Sequence, residues 1–260
     1  MLTHLPLPKT LILAALAGAI VGGCADSKVQ RATGLTPGAD MVKVDADAPY
    51  VPGSPVAIDI ENPGGDVLVV VDAALTMPQI RATSMHEGDN QGAAPWAAAT
   101  LAPSGVAATQ AAPILRVLAA DVSGAKHRTS LEVRVPACAG VRVRNQDGAV
   151  TLQGVGGAID VQNGSPLSPG GSITLLTDAK LDAPLLLETA SGPIRVEFPA
   201  SSRLNVDASS RNGAVSVQAT GVRLGQVSAT KQSWSAAING GDAPARISTE
   251  SGDITLRLKR

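Results

Sequence analysis

Asp147-Gly148-Ala149-Val150 is the first of five copies of one short pattern, in which a small residue and a glycine precede a spacer and then Ile or Val. The other copies are Gly170-Gly171-Ser172-Ile173, Ser191-Gly192-Pro193-Ile194, Asn212-Gly213-Ala214-Val215 and Ser251-Gly252-Asp253-Ile254. The second residues of successive copies lie 23, 21, 21 and 39 residues apart, and the last step is close to two periods. Such spacing indicates an internal repeat whose copies, each too short to bury an apolar face alone, stack on one another.

Short alternating strands flank each copy. Val141 and Val143 alternate with Arg142 and Arg144 just before the first copy, and period-two alternation is typical of half-buried strands. Glycine accepts positive φ and Asn or Asp tolerates it, so each copy predicts a tight turn between two strands. We therefore predict an all-β fold, a single β-solenoid with repeats of about 21 residues. An antiparallel β-sandwich of hairpins on the same turns is the alternative.

The predicted solenoid spans residues 55–260, with a low-complexity insertion at about 83–112. Gly65-Asp66-Val67 is a degenerate copy of the turn near the start of this range. Residues 83–112 are mostly Ala, Gly, Pro and Thr around Trp96, and no period is detectable in them. This segment is interpreted as a long surface excursion, either disordered or a partner-binding loop around Trp96.

The carboxyl-terminal strand is predicted to cap the stack, because an unpaired sheet edge invites pairing with other chains. Ile254, Leu256 and Leu258 are expected to face inward, while Arg257, Lys259 and Arg260 present charge at this end.

The first residues predict that the protein is exported to the cell envelope. Lys9 and the apolar run 11–21 are typical of a secretory signal over residues 1–23, and the run is too short for a membrane span. Val21-Gly22-Gly23-Cys24 resembles the lipobox of bacterial lipoproteins, which implies that Cys24 is lipidated and becomes the first mature residue. The alternative is ordinary cleavage near Gly23 that leaves Cys24 as a free thiol. Residues 24–54 are then the lipidated cysteine and a flexible tether.

Two further expectations depend on that lipobox. Ala25, not Asp, follows the cysteine, and by resemblance to the sorting rule of diderm lipoproteins this implies the outer membrane if the host has two membranes. If Cys24 carries lipid, Cys138 has no disulfide partner in the chain. We therefore expect Cys138 to be a buried, inert thiol.

The residues offer little chemistry. The net charge is −1, so the chain lacks the excess of basic residues that is typical of nucleic-acid binding. His4, His86 and His127 have no partner at metal spacing, so we predict no metal, no cofactor and no catalytic residue. Outward positions before the turns form a candidate strip, on which two carboxylates about 5 to 9 Å apart would indicate glycoside chemistry, whereas mixed charges indicate a solvated face. This strip consists of Arg144, Gln162, Glu188, Asp207 and Ser248.

Two passages resemble the bacterial putative-adhesin family of unknown function. The first runs from Leu131 through Val135-Pro136 to Gly148, and the second contains Val196-Glu197-Phe198-Pro199, Leu204-Asn205-Val206 and Asn212-Gly213-Ala214-Val215. The resemblance covers roughly residues 55–260 outside the insertion. It implies an envelope-associated β-solenoid, and it supplies no agreed catalytic residues.

These observations together predict a lipid-anchored bacterial envelope protein that acts as a non-catalytic β-solenoid scaffold or adhesion surface. Its expected partners are the membrane, through the N-terminal lipid, and an envelope protein or glycan whose identity the sequence leaves open. The alternatives are a carbohydrate-active β-helix enzyme and an envelope-stress accessory protein that binds a membrane partner.

Overall fold

The computed structural model describes residues 40–47, 49–86, 97–103, 112–119, 127–165 and 168–259. These residues form strands joined by turns, and no α-helix occurs within these ranges. No membrane-spanning helix is therefore found in them. The predictions for Cys24 and for Trp96 concern residues outside this description.

Nine strands form the sheet that we call sheet A, in the spatial order β1-β5-β8-β4-β10-β12-β14-β20-β16. They are β1 (Asp40–Val42), β4 (Val67–Val71), β5 (Gln79–His86), β8 (His127–Val135), β10 (Val150–Gln153), β12 (Ile173–Leu176), β14 (Ile194–Pro199), β16 (Val215–Ala219) and β20 (Ile254–Lys259).

Eleven strands form sheet B, in the spatial order β17-β18-β15-β19-β13-β11-β9-β3-β7-β6-β2. They are β2 (Val44–Ala46), β3 (Val56–Asn62), β6 (Ala97–Ala102), β7 (Ile114–Ala119), β9 (Cys138–Asn145), β11 (Ala158–Asn163), β13 (Leu185–Ser191), β15 (Leu204–Ser210), β17 (Leu224–Ala229), β18 (Ser233–Ile238) and β19 (Ala243–Ser251).

From β7 to β16 the chain alternates between the two sheets, so that one strand of each makes one coil. Strands of successive coils pair in parallel, as β11 does with β9 and β13 in sheet B and β12 does with β10 and β14 in sheet A. Long in-register parallel pairing confirms the all-β solenoid and sets aside the antiparallel sandwich. The two sheets share one core of stacked aliphatic side chains, which the alternation of apolar and polar residues places on the inner face of each strand.

The glycine turns of the repeat stack into a column, with successive backbones in close contact. The column runs through Gly65, Gly148, Gly171, Gly192, Gly252 and Gly213. A Cβ atom built on Gly65 would lie 2.5 Å from the carbonyl oxygen of Thr129, and one on Gly192 would lie 2.7 Å from the carbonyl carbon of Gly171. Van der Waals contact therefore requires glycine at these turns, as the repeat suggested.

A row of buried polar side chains lies beside this glycine column, and we call it the polar ladder: Asn62, Asn145, Asn163, Thr189, Thr249 and Ser210. Asn163 Nδ2 donates to the carbonyl of Gly148 at 2.9 Å, and Thr189 Oγ1 donates to that of Gly171 at 2.8 Å. The ladder thus satisfies turn carbonyls that are turned away from water. The predicted pattern did not include this ladder, although an Asn three residues before a turn glycine, as at Asn62 and Asn145, was a usable signal.

Two of the predicted boundaries are wrong in part. Strands β1 and β2 fall within the predicted tether, and they pair with β5 and β6. The predicted excursion at 83–112 contains the end of β5 and all of β6, which pairs with β7. Both errors have one cause: three-residue strands and the alanine-rich β6 show too little contrast between inward and outward side chains for a period to be detected.

The predicted carboxyl-terminal cap is also wrong, because the coils do not stack in sequence order. Strand β20 lies between β14 and β16, and β19 lies between β13 and β15. The hairpin of β17 and β18 follows β15 at that end of sheet B. It occupies the 39-residue step between the glycines of the repeat.

Replacing Gly65 by Ala tests the close stacking of the turns. Its φ of +106° and the contact with Thr129 predict a loss of about 2 to 4 kcal/mol in the free energy of unfolding, measured by urea denaturation. The neighbouring Gly64 is the matched control, since a Cβ there meets only Arg128 Cγ at 3.8 Å. Equal losses for Gly64→Ala and Gly65→Ala would contradict the stacking argument.

Candidate functional site

The outer face of sheet B is a regular surface built by the repeat. Seven strands, in the order β7-β3-β9-β11-β13-β19-β15, run parallel to one another there. Because side chains alternate along a strand and parallel strands pair in register, outward residues line up in rows that cross the strands. Three such rows cover this face.

Each row has its own chemistry and crosses the face from β7 to β15. The small row, near the start of the strands, consists of Ile114, Ala57, Gly140, Ala158, Pro184, Pro244 and Asn205. The charged row consists of Arg116, Asp59, Arg142, Asp160, Leu186, Arg246 and Asp207. The polar row, near the end of the strands, consists of Leu118, Glu61, Arg144, Gln162, Glu188, Ser248 and Ser209.

An apolar groove of about 750 Å³ lies over the small row. Its floor is formed by Ala57, Gly140, Ala158, Pro184 and Pro244. Small and proline side chains leave space above the backbone, and the proline nitrogens have no hydrogen to donate. An occupant of this groove would therefore be held by packing, with the charged row along one side.

A second groove, of about 1120 Å³, lies at the other end of the same strands. Glu188, Arg246, Ser248 and Glu250 line it together with several further serine and threonine residues. This groove offers hydrogen-bonding groups and mixed charges. Arg246 borders both grooves.

Three of the five carboxylates in these rows, Asp59, Asp160 and Glu188, are paired with arginines. Arg144 donates from both terminal nitrogens to Asp160, at 2.9 and 2.6 Å. The other two pairs are looser, with Arg142 Nη1 3.4 Å from Asp59 Oδ1 and Arg246 Nε 3.6 Å from Glu188 Oε1. Exposed pairs contribute about 0 to 1 kcal/mol each to stability, so their main effect is to fix where each charge sits.

The structure brings together four of the five residues of the predicted strip. Arg144, Gln162, Glu188 and Ser248 are consecutive in the polar row. Asp207 is not part of it, because it pairs in register with Arg246 and lies in the charged row. The strip thus mixes positive, neutral and negative side chains, which is the pattern expected of a solvated face.

The remaining candidates lie elsewhere. Cys138 is half-buried, not fully buried as expected, and burial raises the pKa of its thiol. His86 and His127 lie on strands, and they are opposite one another in the β5–β8 pair. Within the described ranges, no group of three or more His, Cys, Asp or Glu residues is arranged to hold a metal ion.

One buried carboxylate lies on sheet A. The side chain of Glu197 is 7% exposed, and it contacts both Arg195 and Lys259, whose Nζ lies 3.1 Å from Oε2. Hydrogen bonds from Arg195, which has the larger effect, and from Lys259 lower the pKa of this carboxyl below its usual range. Glu197 therefore holds the ends of β14 and β20 together through charge.

Replacing Glu197 by Gln should weaken the acid sensitivity of the fold. Because its pKa is lower in the folded than in the unfolded chain, its contribution is fully present above about pH 5 and is lost as the pH falls through the acidic range. We expect Glu197→Gln to cost about 1 kcal/mol at pH 7 and progressively less towards pH 3, measured by thermal unfolding. Asp242→Asn, at an exposed side chain between β18 and β19, is the control and should cost nothing. If the loss of stability caused by Glu197→Gln did not change with pH, the lowered pKa of Glu197 would be contradicted.

The fold and this face define a class: a parallel β-solenoid in which the outer face of sheet B carries ion-paired rows. The sequence model of the Toastrack DUF4097 family, a domain of unknown function, matches residues 116–257, which is more than half of the chain. The chain therefore belongs to the Toastrack family, and this confirms the family resemblance seen in the sequence.

Comparison with other known proteins adds little. A solved structure described as a putative cell adhesion protein from Clostridium sporogenes is similar at 11% identity and a TM-score of 0.49, over 86% of this chain and 100% of that one. No curated protein matches the chain.

Proposed function

We propose that this chain is a lipid-anchored envelope protein whose solenoid is a non-catalytic scaffold or binding surface. The observation that carries the proposal is the outer face of sheet B, where in-register rows join an apolar groove to a polar one. Stacked coils give such a face a fixed spacing between side chains. A fixed, extended pattern is suited to recognising another surface.

The ion pairs of this face support binding over catalysis. Asp59, Asp160 and Glu188 each lie beside an arginine of a neighbouring strand. A glycosidase needs one carboxylic acid that donates a proton and a second carboxylate free to act as base or nucleophile. The proton donor of such a pair is typically held in an apolar environment, whereas all three of these carboxylates contact a cation.

The location of the protein in the cell envelope is the second part of the proposal. Lipidation of Cys24 would attach the chain to a membrane, by the lipobox in its sequence, and Ala25 favours the outer membrane in a diderm host. The first described strand begins at Asp40, 16 residues after Cys24 in the sequence.

Replacing Cys24 by Ala tests the anchor. We expect the wild-type chain to sediment with membranes and the Cys24→Ala chain to be recovered in the soluble fraction, because a lipid chain contributes about 0.8 kcal/mol per buried methylene to membrane binding. Fractionation with immunoblotting measures this. Cys138→Ala, the other cysteine, is the matched control and should remain with the membranes, and equal recovery of all three chains would contradict the proposal.

Site-specific photo-cross-linking in cells tests the binding surface. A photoreactive residue at Ala158, in the small row, is expected to yield a discrete cross-linked product identified by mass spectrometry. The control position is Thr174, an outward residue of β12 in sheet A, which should give background only. Background at both positions would contradict a binding role for sheet B, and a membrane-protein product would favour the stress-accessory alternative.

A further inference from the structure

On the outer face of sheet B, three pairs of positions related across the central strand β11 carry opposite charges, whereas Arg142 is mirrored by Leu186 and Glu61 by Ser248. In the charged row, Arg116 and Asp207 occupy the two ends, and Asp59 and Arg246 occupy the positions next to them. In the polar row, Arg144 and Glu188 lie on either side of Gln162. In each of these three pairs, the two members lie at equal distances from the central strand β11 and carry opposite charges.

We propose that this face is the interface of a homodimer, in which a second copy of the chain binds around a two-fold axis parallel to the strands and centred on β11. The inference rests on the proposed binding role of sheet B and names the partner. Such an axis keeps the direction of the strands but reverses their order. Each row then faces the same row of the second copy, with the residues of the second copy in the opposite order.

This rotation pairs opposite charges. Arg116 faces Asp207 of the second copy, Asp59 faces Arg246, and Arg144 faces Glu188; each contact occurs twice by symmetry. Asp160 faces its own counterpart, where Arg144 of the same chain already neutralises it through two hydrogen bonds. Electrostatic complementarity of this kind fixes register and suppresses wrong pairings.

The same rotation places apolar residues opposite one another in the small row. Ala57 faces Pro244 of the second copy, Gly140 faces Pro184, and Ala158 faces itself. The contact along this row is therefore apolar, and the two grooves of about 750 Å³ face each other.

The other two-fold axis that brings these faces together runs across the strands, and it is disfavoured. It would leave the order of the strands unchanged and place Arg116 on Arg116, Asp59 on Asp59 and Arg142 on Arg142. Like charges directly opposed cost several kcal/mol. The sequence therefore selects one of the two symmetric arrangements.

The face is large enough for a reversible dimer. Seven strands about 4.8 Å apart and about 20 Å long give on the order of 600 Å² per copy. Two copies would bury on the order of 1,200 Å² in total, which is the lower end of the range for specific interfaces. We expect dissociation constants in the micromolar range, because area alone does not give tight binding.

A charge-swap experiment tests the dimer in the purified full chain by sedimentation velocity over a concentration series. The wild type is expected to dimerise. Asp59→Arg would oppose Arg246 of the second copy, and Arg246→Asp would oppose Asp59, so each variant alone should dimerise at least about tenfold more weakly. An equimolar mixture of the two variants should recover the dimer, because both contacts then join opposite charges.

The mixture is the decisive measurement, since recovery requires that both variants are folded. Asp178→Arg makes the same charge change on an exposed side chain after β12, and it should dimerise as the wild type does. A monomeric wild type, or a mixture no stronger than its components, would overturn the homodimer. The proposed binding role would survive that result if the Ala158 position still cross-links to a different envelope molecule, and it would fail only with background cross-linking.

Discussion

The column of stacked glycine turns is the constraint on which the rest of the structure depends. Where the chain passes from sheet B to sheet A, successive turns stack so closely that a side chain at Gly65 or Gly192 would meet the backbone of the next coil. This close approach buries turn carbonyls, and the polar ladder of Asn, Thr and Ser supplies their hydrogen bonds. Unpaired, each such carbonyl would cost about 1 to 3 kcal/mol. With the turns fixed, the register of both sheets follows.

Fixed register explains how much of the fold could be predicted from the sequence. The repeat identifies coils because each glycine marks one turn, and alternation such as Val141 to Arg144 identifies which side chains are inside. It does not identify the order of the coils, because every copy presents the same turn and similar aliphatic residues to its neighbours. Strand β19 can therefore insert between β13 and β15 although nothing in its own sequence indicates it. The change in stacking order is indicated only by the long step of the repeat, which contains the antiparallel hairpin of β17 and β18.

The same limit applies to the candidate site. Alternation predicts that Arg144, Gln162, Glu188 and Ser248 point outward, since this depends only on position within a strand. Which of them are neighbours depends on the order of the strands. Arg246 lies between Leu186 and Asp207 only because β19 is inserted, and its contact with Glu188 follows from the same insertion. Ion pairs, grooves and rows are thus properties of the stack and cannot be deduced from one repeat.

In-register parallel stacking also creates an electrostatic problem, and its solution relates the fold to the surface it offers. A strict repeat would place identical charges in one row about 4.8 Å apart, and such a row would repel itself. In this chain the row alternates instead, from Arg116 through Asp59 and Arg142 to Asp160. Alternation neutralises the face as a whole while each position keeps its sign. A nearly neutral but patterned surface attracts few molecules at long range, and it discriminates between partners by register at contact, which suits the binding role that we propose.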